Sequence, residues 1–356
     1  MFHQPREFTG YEELIMANKG KHLPDSVSRR SDKITILSFF MMLGIVWTHS
    51  RLPDWNVVPD YFHQLVLWNE IGQDTVAAFF LITAFLYFRN FSIEKYTEKL
   101  KTRFYSLIIP YLIWNTLNAV GWFVTTRLTG NQYVNDSFTF DSVWHFVADI
   151  VASKFSVLWY VGVIIVYAVA SPVFYYLGRN KRVAAASIIV FLIIGISFHH
   201  PFCSPIVWMS IYMMGAYLGM HHKDYMFGHQ PVSVTIVALL AFPLSVWYSH
   251  MHDTMLAVNI RTWASAFFFI GIYDVFDRIL HFKVHHIYKY TFFLYATHYI
   301  LVHVGQRYII VNANNVAGCW LAYVLVPPLV VVVCLSAAYI LDKHLPRLYD
   351  ILTGQR

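Results

Sequence analysis

Apolar residues in this chain come in long runs, broken by short polar interruptions. The runs fall at about 34–50, 73–90, 104–124, 155–177, 183–199, 202–220, 232–249, 257–275, 291–309 and 317–341. Several have only 17–19 residues, the short end of what crosses a bilayer as a helix. A backbone surrounded by lipid must satisfy its own hydrogen bonds, so runs of this kind predict helices. The fifth and sixth runs are separated only by His199, His200 and Pro201, which predicts a tight helical hairpin. No internal repeat or low-complexity stretch interrupts the series. The pattern therefore predicts an all-α polytopic membrane protein of about ten transmembrane helices. It has a polar N-terminal tail over 1–33, a membrane body over 34–341 and a short C-terminal tail over 342–356.

Charge gives the series an orientation. With the N-terminus placed in the cytoplasm and the ten runs alternating, all but five of the 26 Lys and Arg residues fall on the cytoplasmic side. The exceptions are Arg51, Arg127, Lys154, Arg261 and Arg307. Cytoplasmic loops carry such an excess of basic residues, so both termini are expected inside. Composition agrees: 57% of residues are hydrophobic and 13% charged, against about 25% charged in soluble domains. The net charge of +6 is spread between apolar runs rather than gathered in a patch, which argues against nucleic acid as a partner. Cys203, Cys319 and Cys334 show no metal-ligand or disulfide spacing, and no metal site is implied. The head lacks the apolar core of a cleaved signal peptide, so the first run is expected to act as a retained anchor. The stretch 125–154 is the largest segment expected outside.

Polar side chains inside a bilayer are costly and mark candidate chemistry. His49 ends the first run, about 24 Å along a helix measured from Lys33. It reads either as an interfacial helix end or as a general base for a hydroxyl nucleophile. Asp54 follows it in a His-x4-Asp string, a two-letter match that arises often by chance. Asp74 reads as a carboxylate partner for His49 or as an acidic residue favoured by the dipole at the start of the second helix. His298, with Tyr295 and Arg307, would line one face of the ninth run, as a structural or a catalytic histidine. Arg261 either snorkels outward or faces a polar cavity. Lys99, Lys101 and Arg103 form a basic cluster that reads as topogenic charge or as a docking site for a phosphorylated ligand. Pro110 interrupts the helix that follows and frees backbone carbonyls.

These stretches carry a family likeness. The helix ending in THS at His49, AAFFLITAFLYF over 77–88, KLKTRFYSLIIPYLIWN over 99–115, LWYVGVIIVYAVASP over 158–172 and FFLYATH over 292–298 resemble, in order and spacing, the membrane-bound acyltransferase family 3. Its members O-acylate extracytoplasmic glycans in bacteria. The closing LPRLYDILTGQR resembles a tail found in one branch. Ser38, Gln73 and the pair Gly162–Val163 depart from the pattern, standing where the family often has basic residues or an Arg-Asp pair.

The resemblance implies a multi-pass protein of the bacterial inner membrane. It would move an acyl group, in this family usually acetyl, from cytosolic acyl-CoA to a hydroxyl of a cell-surface or lipid-linked glycan. It implies His49, Asp74 and His298 as catalytic residues. Lys99, Lys101, Arg103, Tyr111, Trp114, Asn115, Trp159 and Tyr160 would bind the donor, and no cofactor would be held permanently. Membrane lipid is the remaining partner. A glycan or lipid transporter or flippase on the same scaffold is the alternative, and a non-catalytic scaffold a third. A membrane acyltransferase class built around one late histidine would make His298, rather than His49, the essential residue.

Overall fold

The computed structural model describes residues 25–50, 66–129, 142–197 and 201–355. Most of the expected N-terminal tail, Asp54, His199 and His200 lie outside these residues. Among the described residues all regular structure is helical. The helices are α1 (Asp25–Thr48), α2 (Val66–Phe88), α3 (Tyr96–Arg103), α4 (Ile109–Thr129), α5 (Val143–Val151), α6 (Trp159–Val169) and α7 (Ser171–Gly178). They continue with α8 (Lys181–Ser197), α9 (Pro205–His221), α10 (Val232–Met251), α11 (Met255–Leu280), α12 (Thr291–Ala313), α13 (Val316–His344) and α14 (Pro346–Thr353).

A helix or a broken pair of helices overlies each of the ten predicted runs. Among the described residues, five segments are long and apolar enough to cross a membrane on their own: Ile71–Phe88, Ile93–Thr125, Val232–Met251, Met255–Leu280 and Val316–His344. A sixth is added if the bent pair α6–α7 counts as one span. The fourth run is thus not one continuous helix. It bends by 63° after Val169, because Pro172 lacks an N–H and fits only the first turn of a new helix. The helices that flank the fifth interruption, α8 and α9, pack against each other.

The core is built around α2, which packs on α1, α9 and α11. Lipid tails are as apolar as the helices, so helix association in a membrane rests on close packing and buried polar contacts. On α9, Gly215 and Gly219 are four residues apart and face the α2 backbone. A Cβ at Gly215 would lie 2.3 Å from the Leu81 carbonyl oxygen, and one at Gly219 2.5 Å from that of Phe85. On the other side a Cβ at Gly72 would lie 2.0 Å from the Gly44 carbonyl oxygen of α1.

Buried ion pairs add cross-links. Lys33 Nζ lies 2.5 Å from Asp274 Oδ1 of α11 and donates to the Gly228 carbonyl at 2.7 Å. The other Asp274 oxygen accepts the Gln230 N–H at 2.7 Å. Lys33 counted as a cytoplasmic charge in the sequence. In the fold it is a buried strut between α1 and α11.

The third run begins irregularly. A short π-helical segment, Phe104–Ile108, joins α3 to α4 ahead of Pro110. Pro110 leaves the Ser106 carbonyl without its usual helical donor. Gly354, in the left-handed conformation at φ 66°, packs directly over that carbonyl. The closing residues, expected as a tail, form α14, which folds back onto α4 and α13. Trp114 Nε1 donates to the Leu352 carbonyl at 2.7 Å.

Two outcomes follow for stability. Asp274→Ala strands the buried Lys33 ammonium and should destabilise the protein by about 3–5 kcal/mol. The check is a clear fall in its thermal unfolding midpoint in detergent; an unchanged midpoint would show that Lys33 is not held as described. Gly219→Leu drives a side chain into the α2 backbone and should cost at least about 1–3 kcal/mol, with lower yield of folded protein after solubilisation.

Candidate active site

Along α1, the side chains from Ile34 to His49 border a cavity of about 730 Å³. Fifteen residues of helix rise about 22 Å, so the cavity is long rather than round. Its walls come from α1, α2, α6, α12 and the π-helical segment ahead of α4, and most of them are apolar. Ile45, Val76, Phe79, Ile82 and Ile164 supply the lining of its middle.

At the end beside the N-terminal half of α1 stand two cations. Arg103 closes α3 and packs over the Tyr87 ring at 5.4 Å, and Lys289 precedes α12. Lys289 Nζ donates to Asp342 at 2.7 Å, and the Tyr290 hydroxyl donates to the same carboxylate at 3.0 Å. The hydrogen bond to Asp342 holds Lys289 above an ordinary lysine, so it stays cationic at neutral pH.

The other end of the cavity holds Thr48, His49 and Gln73, and Trp159, Tyr160 and Phe202 also line the cavity. Tyr160 and Thr83 share a hydrogen bond of 2.6 Å. His49 is held by α12. Its ring lies 5.3 Å from that of His298 and meets the Tyr299 ring edge-on at 5.1 Å. Gln306 donates its amide to the Ser50 carbonyl, which pins the chain just beyond His49. Tyr295, His298, Val302 and Gln306 fall on one face by helical spacing, and it is Gln306 rather than Arg307 that is fully buried there.

Several sequence expectations change in this setting. His49 and His298 come together. Asp74 does not open its helix: α2 starts at Val66, because the polar stretch before Asp74 is helical as well. Its carboxylate pairs with Arg261 of α11, both oxygens within 3.0 Å of Nε, and it is not among the cavity-lining residues. Arg261 also donates to Ser249 of α10 at 3.2 Å, so this ion pair ties three helices together.

Of the eight expected donor-binding residues, Arg103, Trp159 and Tyr160 line the cavity. Lys99 packs over the Tyr87 ring and donates to the Tyr87 carbonyl at 3.1 Å, capping the end of α2. Lys101 is exposed. Tyr111, Trp114 and Asn115 bond inside the protein. Tyr111 donates to the Val151 carbonyl at 2.6 Å, and the Asn115 amide oxygen accepts from Ser156 at 2.7 Å. These contacts, with that of Trp114 to α14, brace α4 against its neighbours. Two departures from the family pattern, Ser38 and Gln73, face the cavity. Gly162 instead lies against Tyr111, where a Cβ would meet its hydroxyl at 3.2 Å. Lys289 and Tyr299 also belong to this site, and neither stands in a motif of the sequence. Only the placement of Lys289 at the head of the helix that carries His298 sets it apart from other basic residues there.

Residues 33–341 match the acyltransferase domain of the acyltransferase 3 family. No curated protein and no solved structure matches the chain. The family match runs from the first buried lysine to the end of the last long helix and takes in every wall of the cavity. The chain belongs to the acyltransferase 3 family and is a multi-pass membrane acyltransferase.

Proposed function

We propose that the protein is an O-acyltransferase that moves an acyl group, acetyl in the first instance, from cytosolic acyl-CoA to a hydroxyl of a cell-surface or lipid-linked glycan. The observation that carries this reading is the cavity itself. It is a long apolar passage with two cations at one end and a histidine at the other. In this reading about ten helices cross a bacterial inner membrane with both termini inside, as the distribution of basic residues favours. The cationic end then faces the cytoplasm, and His49 lies toward the outside.

Arg103 and Lys289 bind the phosphates of the donor, a task that suits a guanidinium and an ammonium. The pantetheine arm runs between α1, α2 and α6, past Trp159 and Tyr160, and carries the thioester to His49. His49 removes the proton from the glycan hydroxyl as its oxygen attacks the thioester carbon. The C–O bond forms, and the tetrahedral intermediate collapses with cleavage of the C–S bond. The thiolate takes the proton back from His49 and leaves as CoA. The Gln73 amide, which lines the cavity beside His49, offers a donor to the oxyanion. A neutral amide in place of the family's usual cation at Gln73 leaves Arg103 and Lys289 as the cavity's described positive charges. The outer segment that includes α5 is the place for acceptor selection.

The test is acetyl-CoA binding and CoA release by the purified protein in nanodiscs. Arg103→Ala should raise KM for acetyl-CoA by about tenfold, the loss of one charge-assisted contact. His49→Ala should bind acetyl-CoA normally and lose about 100-fold or more in turnover. A wild-type protein that neither binds nor cleaves acyl-CoA of any chain length, yet moves a glycan or lipid across the bilayer, would replace this reading with that of a transporter.

A further inference from the structure

We propose that His298 is the positioning residue for His49, accepting the hydrogen on the ring nitrogen of His49 that faces away from the cavity. The inference rests on the acyltransferase reading and adds to it a second residue with a defined protonation pattern. It starts from the hydrogen bonds of His298 itself. Its Nδ1 lies 3.0 Å from the Leu294 carbonyl oxygen and 2.9 Å from that of Tyr295. Carbonyl oxygens only accept, so Nδ1 carries the hydrogen. In a neutral imidazole the other nitrogen, Nε2, is then a bare acceptor.

That acceptor is fully buried and has no hydrogen-bond partner among the described residues. Buried polar atoms in folded proteins are nearly always paired, and an exception calls for a functional explanation. The neighbouring donor of the right kind is His49. Two imidazoles joined by an in-line N–H···N bond of ordinary length have ring centres about 5 Å apart. The observed separation is 5.3 Å, a distance at which a His49 nitrogen turned toward Nε2 makes that bond.

The arrangement assigns a division of labour. His49 borders the cavity and His298 does not, so a substrate meets His49 first. With His298 Nε2 accepting from one His49 nitrogen, the other His49 nitrogen is left unprotonated and aimed at the cavity. That is the tautomer a general base needs. When His49 takes the hydroxyl proton it becomes imidazolium, and the His298 acceptor holds the new positive charge. A neutral acceptor suits this place, since a carboxylate there would sit uncompensated among apolar helices. The edge of Tyr299 and the Gln306–Ser50 contact keep the ring from swinging away.

The experiment compares wild type, His49→Ala, His298→Ala and His298→Gln in nanodiscs, with acetyl-CoA as the probe. CoA release, acetyl-CoA affinity and thermal midpoint are read for each. Glutamine places an amide oxygen near the position of Nε2, so it restores the acceptor without the ring. His298→Ala should lower kcat by about 100-fold with KM for acetyl-CoA within about twofold of wild type, and His298→Gln should recover about tenfold of that loss. A His298→Ala protein as fast as wild type, beside an inactive His49→Ala, would overturn the inference and leave the acyltransferase reading standing. So would a His298→Gln protein that keeps the wild-type midpoint and is as slow as His298→Ala, since the acceptor would then not matter. Normal turnover by His49→Ala with none by His298→Ala would reverse the two roles and overturn it too. If no variant, wild type included, releases CoA, the acyltransferase reading fails and takes this inference with it.

Discussion

The arrangement depends first on how closely α2 lets its neighbours approach. Inside a bilayer no hydrophobic force drives one apolar helix toward another, so contact distance and buried polar pairs set the packing. Gly215 and Gly219 bring α9 onto the α2 backbone, and the Gly44–Gly72 contact brings α1 onto its other side. The Asp74–Arg261 pair adds α11, and Ser249 adds α10. Once α1 is fixed in this register, Thr75 of α2 lies beside the Met41 carbonyl, and His49 one turn past the end of the contact meets α12. The histidine pair thus depends on the packing of α1 against α2 just before His49.

The same packing leaves a gap where α1, α2, α6 and α12 do not close on one another. Its two ends differ chemically in the way a two-substrate transfer requires. One end offers cations anchored by an aromatic ring and by Asp342, suited to phosphate. The other offers an imidazole pair buried among aromatics. Apolar walls line the passage between them, and in the proposed reading they shield a thioester from water.

Much of the fold was legible because hydropathy is a strong signal: every predicted run carries a helix. The bend at Pro172 and the π-helical entry before Pro110 were written only as prolines, and a proline does not say whether a helix kinks, stops or starts anew. Asp74 shows a sharper limit. Its partner lies 187 residues along the chain, and nothing local distinguishes a helix-start carboxylate from half of an interhelical ion pair. Tyr111, Trp114 and Asn115 stand in the most family-like motif and read as ligand contacts. They hold backbone carbonyls and a serine of neighbouring segments, because a polar residue in an apolar helix looks the same whether its partner is substrate or protein. His49 and His298 stood out for a physical reason, the cost of a polar ring at that depth, although only the fold reveals that they are neighbours. Lys289 was hidden among basic residues that serve orientation.

In the proposed reading one cavity holds the donor, with its phosphates at Arg103 and Lys289 and its reacting carbon at His49. The most direct measurement is a cryo-electron microscopy structure of the protein in nanodiscs with a thioether analogue of acetyl-CoA that cannot transfer its acyl group. Density is expected along α1, with phosphates between Arg103 and Lys289 and the analogue's carbonyl in contact with His49. An analogue bound elsewhere, or a cavity filled by lipid while the analogue is bound, would contradict it.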